Sequence, residues 1–533
     1  MQSASPVKKH CKLPLPEFII LVVWFSILLA FNEFRIFARA LPHPYVYGFE
    51  KFGLVMLIST LAFNLRYSDL TPSVRLLTRG LVSLFLFYGI LYFSPEYPEL
   101  VNDLNQKIYT DLFLGRILAI SLAIVGFFRP SFALLIFVYP VWQKNALGNL
   151  TGIPISHTDF ETVAQLGQYL IFSVCGFHII SRTATKLNYK FSKEVTTGFC
   201  EWLLWTSIAF HFSNYYYSAL KKVLISGSPL TWISENPSEI LFINSIWTNQ
   251  FFNFLSPTVV NTVYYLIHSC SFALNFFVFI IQIVTLIAVL RRAFTIALLG
   301  LLDCMHIGIF LASAIFFWKW FVLNLVFIWA IKRELPGFGR SKIKWFLPAV
   351  VVMGPRFFSV VELGWLDTPA MNVLEMKAVT ASGGEYTVPS NYFLAMSLPF
   401  AQIDYVPAHK GQITTGTYGA TVDYETFIKA KKCNVTYVDT KDTLQAAVEK
   451  TSLRSFITAH HRFILKNADE RGRYNYNFFP HHIWSNLTND PFYALDKKDI
   501  VGYRIVSHSI CTDLETLSQK SLRNRTSYEI PVR

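Results

Sequence analysis

The chain has 533 residues, 53% of them hydrophobic and only 15% charged, with a formal net charge of +13 at pH 7. Soluble domains carry roughly a quarter charged residues, so these proportions exclude both an ordinary soluble domain and a disordered chain. Seven cysteines are too few for a disulfide-dense scaffold, and the composition points to a polytopic membrane protein.

Apolar runs follow one another from about Pro16 to Trp365 and then stop. A bilayer core requires roughly 20 apolar residues per helix. Taken in order, the runs predict spans near Phe18–Phe37, Phe52–Leu65, Leu81–Phe93, Leu112–Phe128, Ser131–Trp142, Val163–Ile180, Phe199–Tyr217, Val259–Leu290, Ala293–Phe317, Trp318–Ile331 and Trp345–Val361. Some are too short to cross alone, and Val259–Leu290 is long enough to bend, which leaves about nine full crossings. Phe18–Phe37 follows a basic N-terminus, lacks a small-residue cleavage site and reads as a signal anchor. Ser226–Phe254, with Pro229 and Pro237, reads as an interfacial loop with a re-entrant or surface helix.

The charge excess gives an orientation. From Asp367 onward 19 basic side chains face 17 acidic ones, so the excess lies in the apolar part. It sits at Lys8, Lys9 and Lys12, at Lys186, Lys190 and Lys193, at Arg291 and Arg292, and from Lys332 to Lys344. Short basic loops stay cytoplasmic. The N-terminus is then inside, and an odd number of crossings puts the tail in the lumen or extracytoplasmic space. That membrane is the endoplasmic reticulum in a eukaryote and the inner membrane in a bacterium. Nothing in this charge pattern suggests a nucleic-acid partner.

The chain therefore divides into a polytopic domain, 1–365, and an extracytoplasmic domain, 366–533. The second reads as mainly β: Glu385–Pro389, Asn434–Val438 and Ile500–Val506 alternate between turn residues. Asp442–Arg454 and Ser455–Leu465 read as helices. Three of the chain's four glycosylation sequons fall here, at Asn434, Asn486 and Asn524. The tail's two cysteines, Cys433 and Cys511, form a disulfide or remain two free thiols. His460-His461 and His481-His482 suggest a metal, but adjacent histidines on a strand point to opposite faces and do not chelate as a pair. The other cysteines that fall in apolar runs, Cys175, Cys200, Cys270 and Cys304, read as packing residues.

Ionisable residues inside apolar runs are costly and mark cavities, relays or substrate paths. His211, Tyr215, Ser218 and Lys222 fall at i, i+4, i+7 and i+11 of one run, on one helix face. An amine held away from water gives up its proton readily and is then a usable general base. The plain alternative is that Lys221 and Lys222 end a span and reach for the headgroups. Asp303 and His306 are i, i+3 neighbours, so the carboxylate is placed to orient the imidazole, or the two form a structural pair. Arg116 opens a span and reads as a partner of Asp111 or of a lipid phosphate. His157, Asp159 and Glu161 line a cavity mouth or cap a helix, and His178 and His268 stand singly. No P-loop, dinucleotide fingerprint, nucleophile elbow or CxxC is present.

Tyr215-Tyr-Tyr-Ser-Ala-Leu-Lys-Lys222, followed by Pro229-Leu-Thr-Trp232, resembles a passage of the vitamin K-dependent γ-carboxylases and of the wider group built on the horizontally transferred transmembrane domain. Asp303-Cys-Met-His306-Ile-Gly-Ile-Phe-Leu311 with Phe316-Phe-Trp318 is a second similar passage. Gly115-Arg-Ile-Leu118 with Phe127-Phe-Arg129 and Ser156-His-Thr-Asp-Phe160 is a looser third. The likeness runs over about Leu112–Ile331, and the tail does not share it. It implies a membrane enzyme whose cavity admits reduced vitamin K or another quinone and whose tail presents a protein or peptide substrate. It implies Lys222 as base, with His306 in the same cavity. Asp303 then orients His306, while His211, Tyr215, Ser218, Arg116 and His157 shape the cofactor pocket. The alternative is a non-catalytic lipid- or peptide-handling factor on the same scaffold, for maturation, immunity or export.

Overall fold

The computed structural model describes residues 15–39, 49–91, 106–153, 159–248, 252, 254–334, 341–402, 419–434, 453–476 and 491–532. It is mainly helical, with a small C-terminal sheet region. The helical part comprises α1 (Leu15–Arg39), α2 (Phe49–Leu61), α3 (Pro72–Leu91), α4 (Gln106–Phe128), α5 (Ala133–Thr151), α6 (Asp159–Lys186) and α7 (Lys193–Ser226). It continues with α8 (Pro229–Glu235), α9 (Glu239–Trp247), α10 (Pro257–Ile283), α11 (Thr285–Ala288), α12 (Arg292–Ser313), α13 (Trp318–Lys332) and α14 (Leu347–Phe357). Among the described residues, Leu15–Arg35, Glu161–Lys186, Pro257–Ala288 and Arg292–Ser313 are long and apolar enough to cross a bilayer.

Helix α7 is the axis of this part. Ser192 caps it by accepting from Val195 N at 3.2 Å, and Gly227 ends it at φ +73°. Trp202, Trp205, Phe199, Leu203 and Leu204 along it are fully buried. Tyr169 of α6 packs edge-on to Phe210 at 5.1 Å, and Phe358 packs on Phe210 at 4.3 Å. Tyr169 Oη also accepts from Trp24 Nε1 at 2.7 Å, which ties α1 to the same core. The outer faces are the reverse: Leu266, Phe272 and Leu311 are all more than half exposed.

The helices run between two ends. At one end, Glu17 at the start of α1 accepts from Ser341 Oγ and Lys342 N, and Arg292 at the start of α12 meets Glu334 just after α13. Ser73 at the start of α3 donates to Glu201 near the start of α7 at 2.7 Å. Lys186, Lys193, Arg291, Lys332 and Lys344 lie in or beside the helix ends that meet there. The sheet region sits at the other end, where Leu147 in the last turns of α5 and Ile153 just after it join its core.

Two predicted spans differ in form. Val259–Leu290 does bend: α10 stops at Ile283 and α11 begins at Thr285. Thr285 Oγ1 donates to Gln282 O at 2.6 Å, the kind of side-chain bond that competes with the helical ladder. Trp345–Val361 is a short 3-10 turn, the 11-residue α14 and then extended chain. Pro355 inside α14 has no N–H for Val351 O, and Ser213 Oγ of α7 donates to that carbonyl at 2.7 Å instead. Segment Ser226–Phe254, expected to hold a re-entrant or surface helix, contains two short helices, α8 and α9, of which α9 is largely buried.

The tail holds a four-stranded antiparallel sheet, in the order β3 (Glu385–Thr387), β2 (Ala370–Thr380), β5 (Ile500–Thr512), β6 (Gln519–Pro531). A two-stranded ladder pairs β1 (Leu366–Asp367) with β4 (Ala420–Thr421). Inward residues Met376, Ala378, Tyr503 and Ile505 pack against Phe456, Ile457 and Ile464 of the helix Leu453–Asn467. The expected strand at Glu385–Pro389 is β3, that at Ile500–Val506 opens β5, and the helix at Ser455–Leu465 is present. Val435–Val438, and 442–452 of the expected helix Asp442–Arg454, lie outside the described residues. Cys433 and Cys511 form a disulfide that ties the end of the helix Tyr424–Lys431 to β5. Cys175 and Cys200 are buried packing residues, whereas Cys270 and Cys304 are exposed.

Candidate functional site

Asn214, Ser218 and Lys222 recur every four residues, so they stack roughly 6 Å apart along one face of α7. Alternate residues of an extended chain are roughly 6.6 Å apart. The spacings match, and the extended segment after α14 lies along that face. Val361 N donates to Asn214 Oδ1 and Leu363 N to Ser218 Oγ, both at 2.9 Å, while Gln165 Oε1 takes Ser359 N at 2.8 Å. The last rung is reversed: Lys222 Nζ donates to Leu363 O at 2.8 Å. Gly364 permits the approach, because a Cβ there would meet the Lys221 side chain and the Lys222 backbone.

Lys222 is 5% exposed. Its Nζ also donates to Gln282 Oε1 of α10 at 3.0 Å, lies 3.4 Å from Ser218 O, and stands 5.0 Å from the ring of Trp232 on α8. These partners are all neutral, and among the described residues no carboxylate lies within 4 Å of this amine. Lys221 points elsewhere and meets Glu362 at 3.8 Å, with both side chains partly exposed. The nearby acid is Asp367 of β1, whose carboxylate accepts from Asn236 Nδ2 at 2.8 Å and Trp365 Nε1 at 3.0 Å. Burial pushes the Asp367 carboxyl up to about 7, against the pull of those two bonds and of Lys222.

A second buried polar group lies toward the middle of α7. His211 Nε2 and Asn324 Oδ1 of α13 are 2.8 Å apart, and Asn324 Nδ2 donates to Asp303 Oδ1 of α12 at 2.7 Å. Tyr215 Oη is 3.4 Å from the same amide. Trp320 packs edge-on to Tyr215 at 5.3 Å and His306 lies 5.9 Å from that ring. His211 Nδ1, Asp303 Oδ2 and His306 Nδ1 are buried with no hydrogen-bond partner among the described residues. Such atoms are costly unless something in the working protein meets them.

Asp303 and His306 do stand as i, i+3 neighbours, with His306 Nδ1 3.8 Å from Asp303 Oδ1, within ion-pair distance but longer than a hydrogen bond; the carboxylate's short partner is Asn324, which stands between it and His211. The single stripe on α7 divides: His211 and Tyr215 belong to the Asn324 group, Ser218 and Lys222 to the extended segment. Gln282 lies between the two groups: its Oε1 accepts from Lys222 Nζ, and its Nε2 approaches Met305 Sδ at 3.9 Å, one residue from His306.

Asn324 and Gln282 are therefore the residues that sequence reasoning missed. The signal was an amide within an otherwise apolar run, where attention went to ionisable side chains alone. Of the remaining candidates, Glu161 is part-buried at the start of α6 and His178 is part-buried on the same helix. His268 pairs with the buried Glu239 at 2.8 Å. Arg116 lies on α4, but its side chain and His157 fall outside the described residues, as do Asn486 and the side chain of Asn524; Asn434 is exposed.

His460 and His461 sit on a helix, not a strand, and both are buried. His460 Nε2 is 2.9 Å from Tyr392 O, and His461 Nδ1 is 3.0 Å from Tyr503 Oη. Among the described residues no cluster of three or more His, Cys, Asp or Glu has a metal-holding arrangement; His481 and His482 fall outside them. Burial drives the His460 ring down to about 3, so it is a neutral core residue.

Comparison with protein-family models, with curated proteins and with solved structures finds no match for this chain.

Proposed function

We propose that the chain is an integral membrane enzyme of the kind represented by the vitamin K-dependent γ-carboxylases, with Lys222 as its general base. The observation that carries this reading is the buried Lys222 amine, which has neutral acceptors and no carboxylate partner. An amine in that setting is arranged to exchange a proton rather than to hold an ion pair. The buried atoms without partners, His211 Nδ1, His306 Nδ1 and Asp303 Oδ2, supply both donors and acceptors, as a dihydroxy aromatic cofactor requires. A reduced quinone would supply the oxygen-dependent chemistry there. Lys222 would take a proton from it, Asn324 would hold the tautomer of His211, and Tyr215 and Trp320 would wall the ring.

In this reading the helical part lies in the bilayer with about nine crossings. The basic end faces the cytoplasm, and the tail lies in the lumen or extracytoplasmic space, where the Cys433–Cys511 disulfide suits an oxidising compartment. The tail presents a protein or peptide substrate to the membrane site. The test is carbon dioxide incorporation into a glutamate-rich peptide by the full chain in detergent with reduced vitamin K, with Lys222→Met beside it. Lysine-dependent incorporation is expected. Quinone epoxidation that requires Lys222 without incorporation moves the search to another substrate. Neither product in folded protein sinks the catalytic reading.

One observation favours a second reading. Lys222 Nζ donates to Leu363 O, so the lysine also fastens to α7 the segment that leads into the tail. A non-catalytic membrane factor would use it for that alone, and Lys222→Met would then loosen the tail without any turnover to lose.

A further inference from the structure

Helices α3 and α13 pack antiparallel with a groove between their outer faces. Phe87 meets Trp318 edge-on at 5.6 Å at one end, Gly80 faces the side chain of Val326 midway, and Arg75 and Arg333 line the other end. The cavity holds about 930 Å³. Its lining is apolar along most of its length, and two of the rings on it face outward: Phe87 is 46% and Trp329 60% exposed. From Arg75 to Phe87 the helix rises roughly 18 Å. One leaflet of a bilayer's hydrocarbon core is roughly 15 Å deep.

The polar end is cationic. Arg75, Arg79 and Arg333 all line it. Arg75 Nη2 donates to Leu70 O at 3.2 Å, and its buried Nε has no hydrogen-bond partner among the described residues. The Arg79 guanidinium lies 4.7 Å over Tyr67 and 5.6 Å over Phe127, aromatic contacts that position the fork without neutralising it. Among the described residues none of the three has a carboxylate within 4 Å. The acid next to Arg333 in sequence, Glu334, is turned inward to Lys344 and Trp205 Nε1. Three unneutralised guanidinium groups at the mouth of an apolar slot as deep as a leaflet fit one kind of occupant. The head of that occupant is an anion with several acceptor oxygens, and the rest of it is a hydrocarbon chain.

We infer that the α3–α13 groove binds an anionic phospholipid, its phosphate held by Arg75, Arg79 and Arg333 and one acyl chain lying along Gly80, Ser83 and Leu84 to Phe87. The site is distinct from the Asn324 group, which lies on the inner side of α13, and from Lys222, which lies where α7, α10 and the segment after α14 meet. It rests on the membrane part of the proposed function and not on the catalytic part.

The test uses the full chain in phosphatidylcholine nanodiscs carrying a trace of phosphatidylglycerol with a diazirine on one acyl chain. After illumination, labelled peptides are mapped by mass spectrometry. Label is expected on 72–91 and 318–332, displaced about tenfold better by unlabelled phosphatidylglycerol than by phosphatidylcholine, as loss of charge-assisted bonds to one phosphate predicts. Soluble glycerol phosphate should not displace it. Ser83→Trp, which fills the slot and leaves the charge, should abolish label on both helices. Arg79→Gln with Arg333→Gln should keep the label and remove the lipid preference. Label spread over the outward faces of α1, α10 and α12 in proportion to their exposure, or equal displacement by both lipids, overturns the site. Displacement by glycerol phosphate makes it a free-phosphate site and overturns the lipid assignment. A chain that enters the discs unlabelled overturns this site alone, whereas a chain that cannot enter them overturns the membrane reading as well.

Discussion

Two buried lysines, one in the helical part and one in the tail, make nearly the same bonds and mean different things. Lys497 is fully buried, donates to Phe492 O at 2.7 Å, Leu495 O at 2.8 Å and Tyr493 O at 3.4 Å, and lies 4.5 Å from the Phe492 ring. Lys222 also donates to carbonyl oxygens and also lies near an aromatic ring. The partners of Lys497 named here all come from within five residues. They close one turn of chain on itself, as a cap does. The partners of Lys222 come from Gln282, 60 residues away, and Leu363, 141 residues away. Burial alone is therefore no sign of a site. A lysine held where α7, α10 and the segment leading into the tail meet is sensitive to every one of them, and that position is suited to chemistry or coupling rather than to local closure.

The largest effect that separates them is on turnover. Lys222→Met should lower carboxylation or quinone turnover by about 10²–10⁴-fold, the range for a lost general base, far more than the loosening of the tail by roughly 1–3 kcal/mol that the lost Leu363 O bond brings. The comparison breaks if the two losses coincide. Lys497→Met should do the opposite. Stranding three carbonyls inside the tail costs roughly 2–4 kcal/mol, read as earlier proteolysis of the tail, with turnover per folded molecule unchanged.

A pH series sharpens the same contrast, because the junction and the tail core carry opposite slopes. The Asp367 carboxyl sits at about 7 in the folded protein, above its ordinary range. The folded state thus binds the proton more tightly, and the junction is firmest below roughly pH 4 and loses stability as pH rises through 7. His460 sits at about 3, below its ordinary value of 6.5. Its contribution is complete above that value and is lost as pH falls from there toward 3. Each effect is on the order of 4–5 kcal/mol across its window. Amide exchange measured separately on 366–368 and 456–464 should show the two trends. Asp367→Asn should flatten the first and His460→Phe the second.

How much of this was legible in the chain follows from what each feature depends on. Helix positions and the two-part division come from local composition, and Pro355, Gly227 and the sheet strands are local signals too. The single face of His211, Tyr215, Ser218 and Lys222 was legible as helix phase. Its division into two groups was not, because that depends on which element packs opposite each turn: α13 beside His211, the extended segment beside Ser218 and Lys222. Asn324 stood in plain view within Trp318–Ile331, but only the fold brings its amide between His211 and Asp303. Lys497 shows the converse: a sequence offers no reason to expect a lysine to be buried at the end of an exposed-looking Asp-Lys-Lys-Asp run. The α3–α13 groove needs two helices 240 residues apart in sequence and so has no local signature at all.

The smallest effect is also the most direct probe of the Lys222 junction. A Cβ at Gly364 would lie 2.6 Å from Lys221 Cβ and 3.0 Å from Lys222 N. Helix backbone held in its own hydrogen-bond ladder gives way less than a segment outside regular structure, so in Gly364→Ala the extended segment lifts instead, and Leu363 O moves off the lysine amine. Overpacking of this size costs roughly 1–3 kcal/mol. Gly300 of α12 is the matched control, since a Cβ there meets nothing within 4 Å and alanine in a helix gains up to about 1 kcal/mol over glycine. If Lys222 only fastens the tail, Gly364→Ala should loosen the tail by the same route as Lys222→Met, and combining the two should add little. If Lys222 is the base, Gly364→Ala leaves the amine in place with one acceptor fewer. The tail then loosens while turnover per folded molecule changes by less than about tenfold, well short of the Lys222→Met loss.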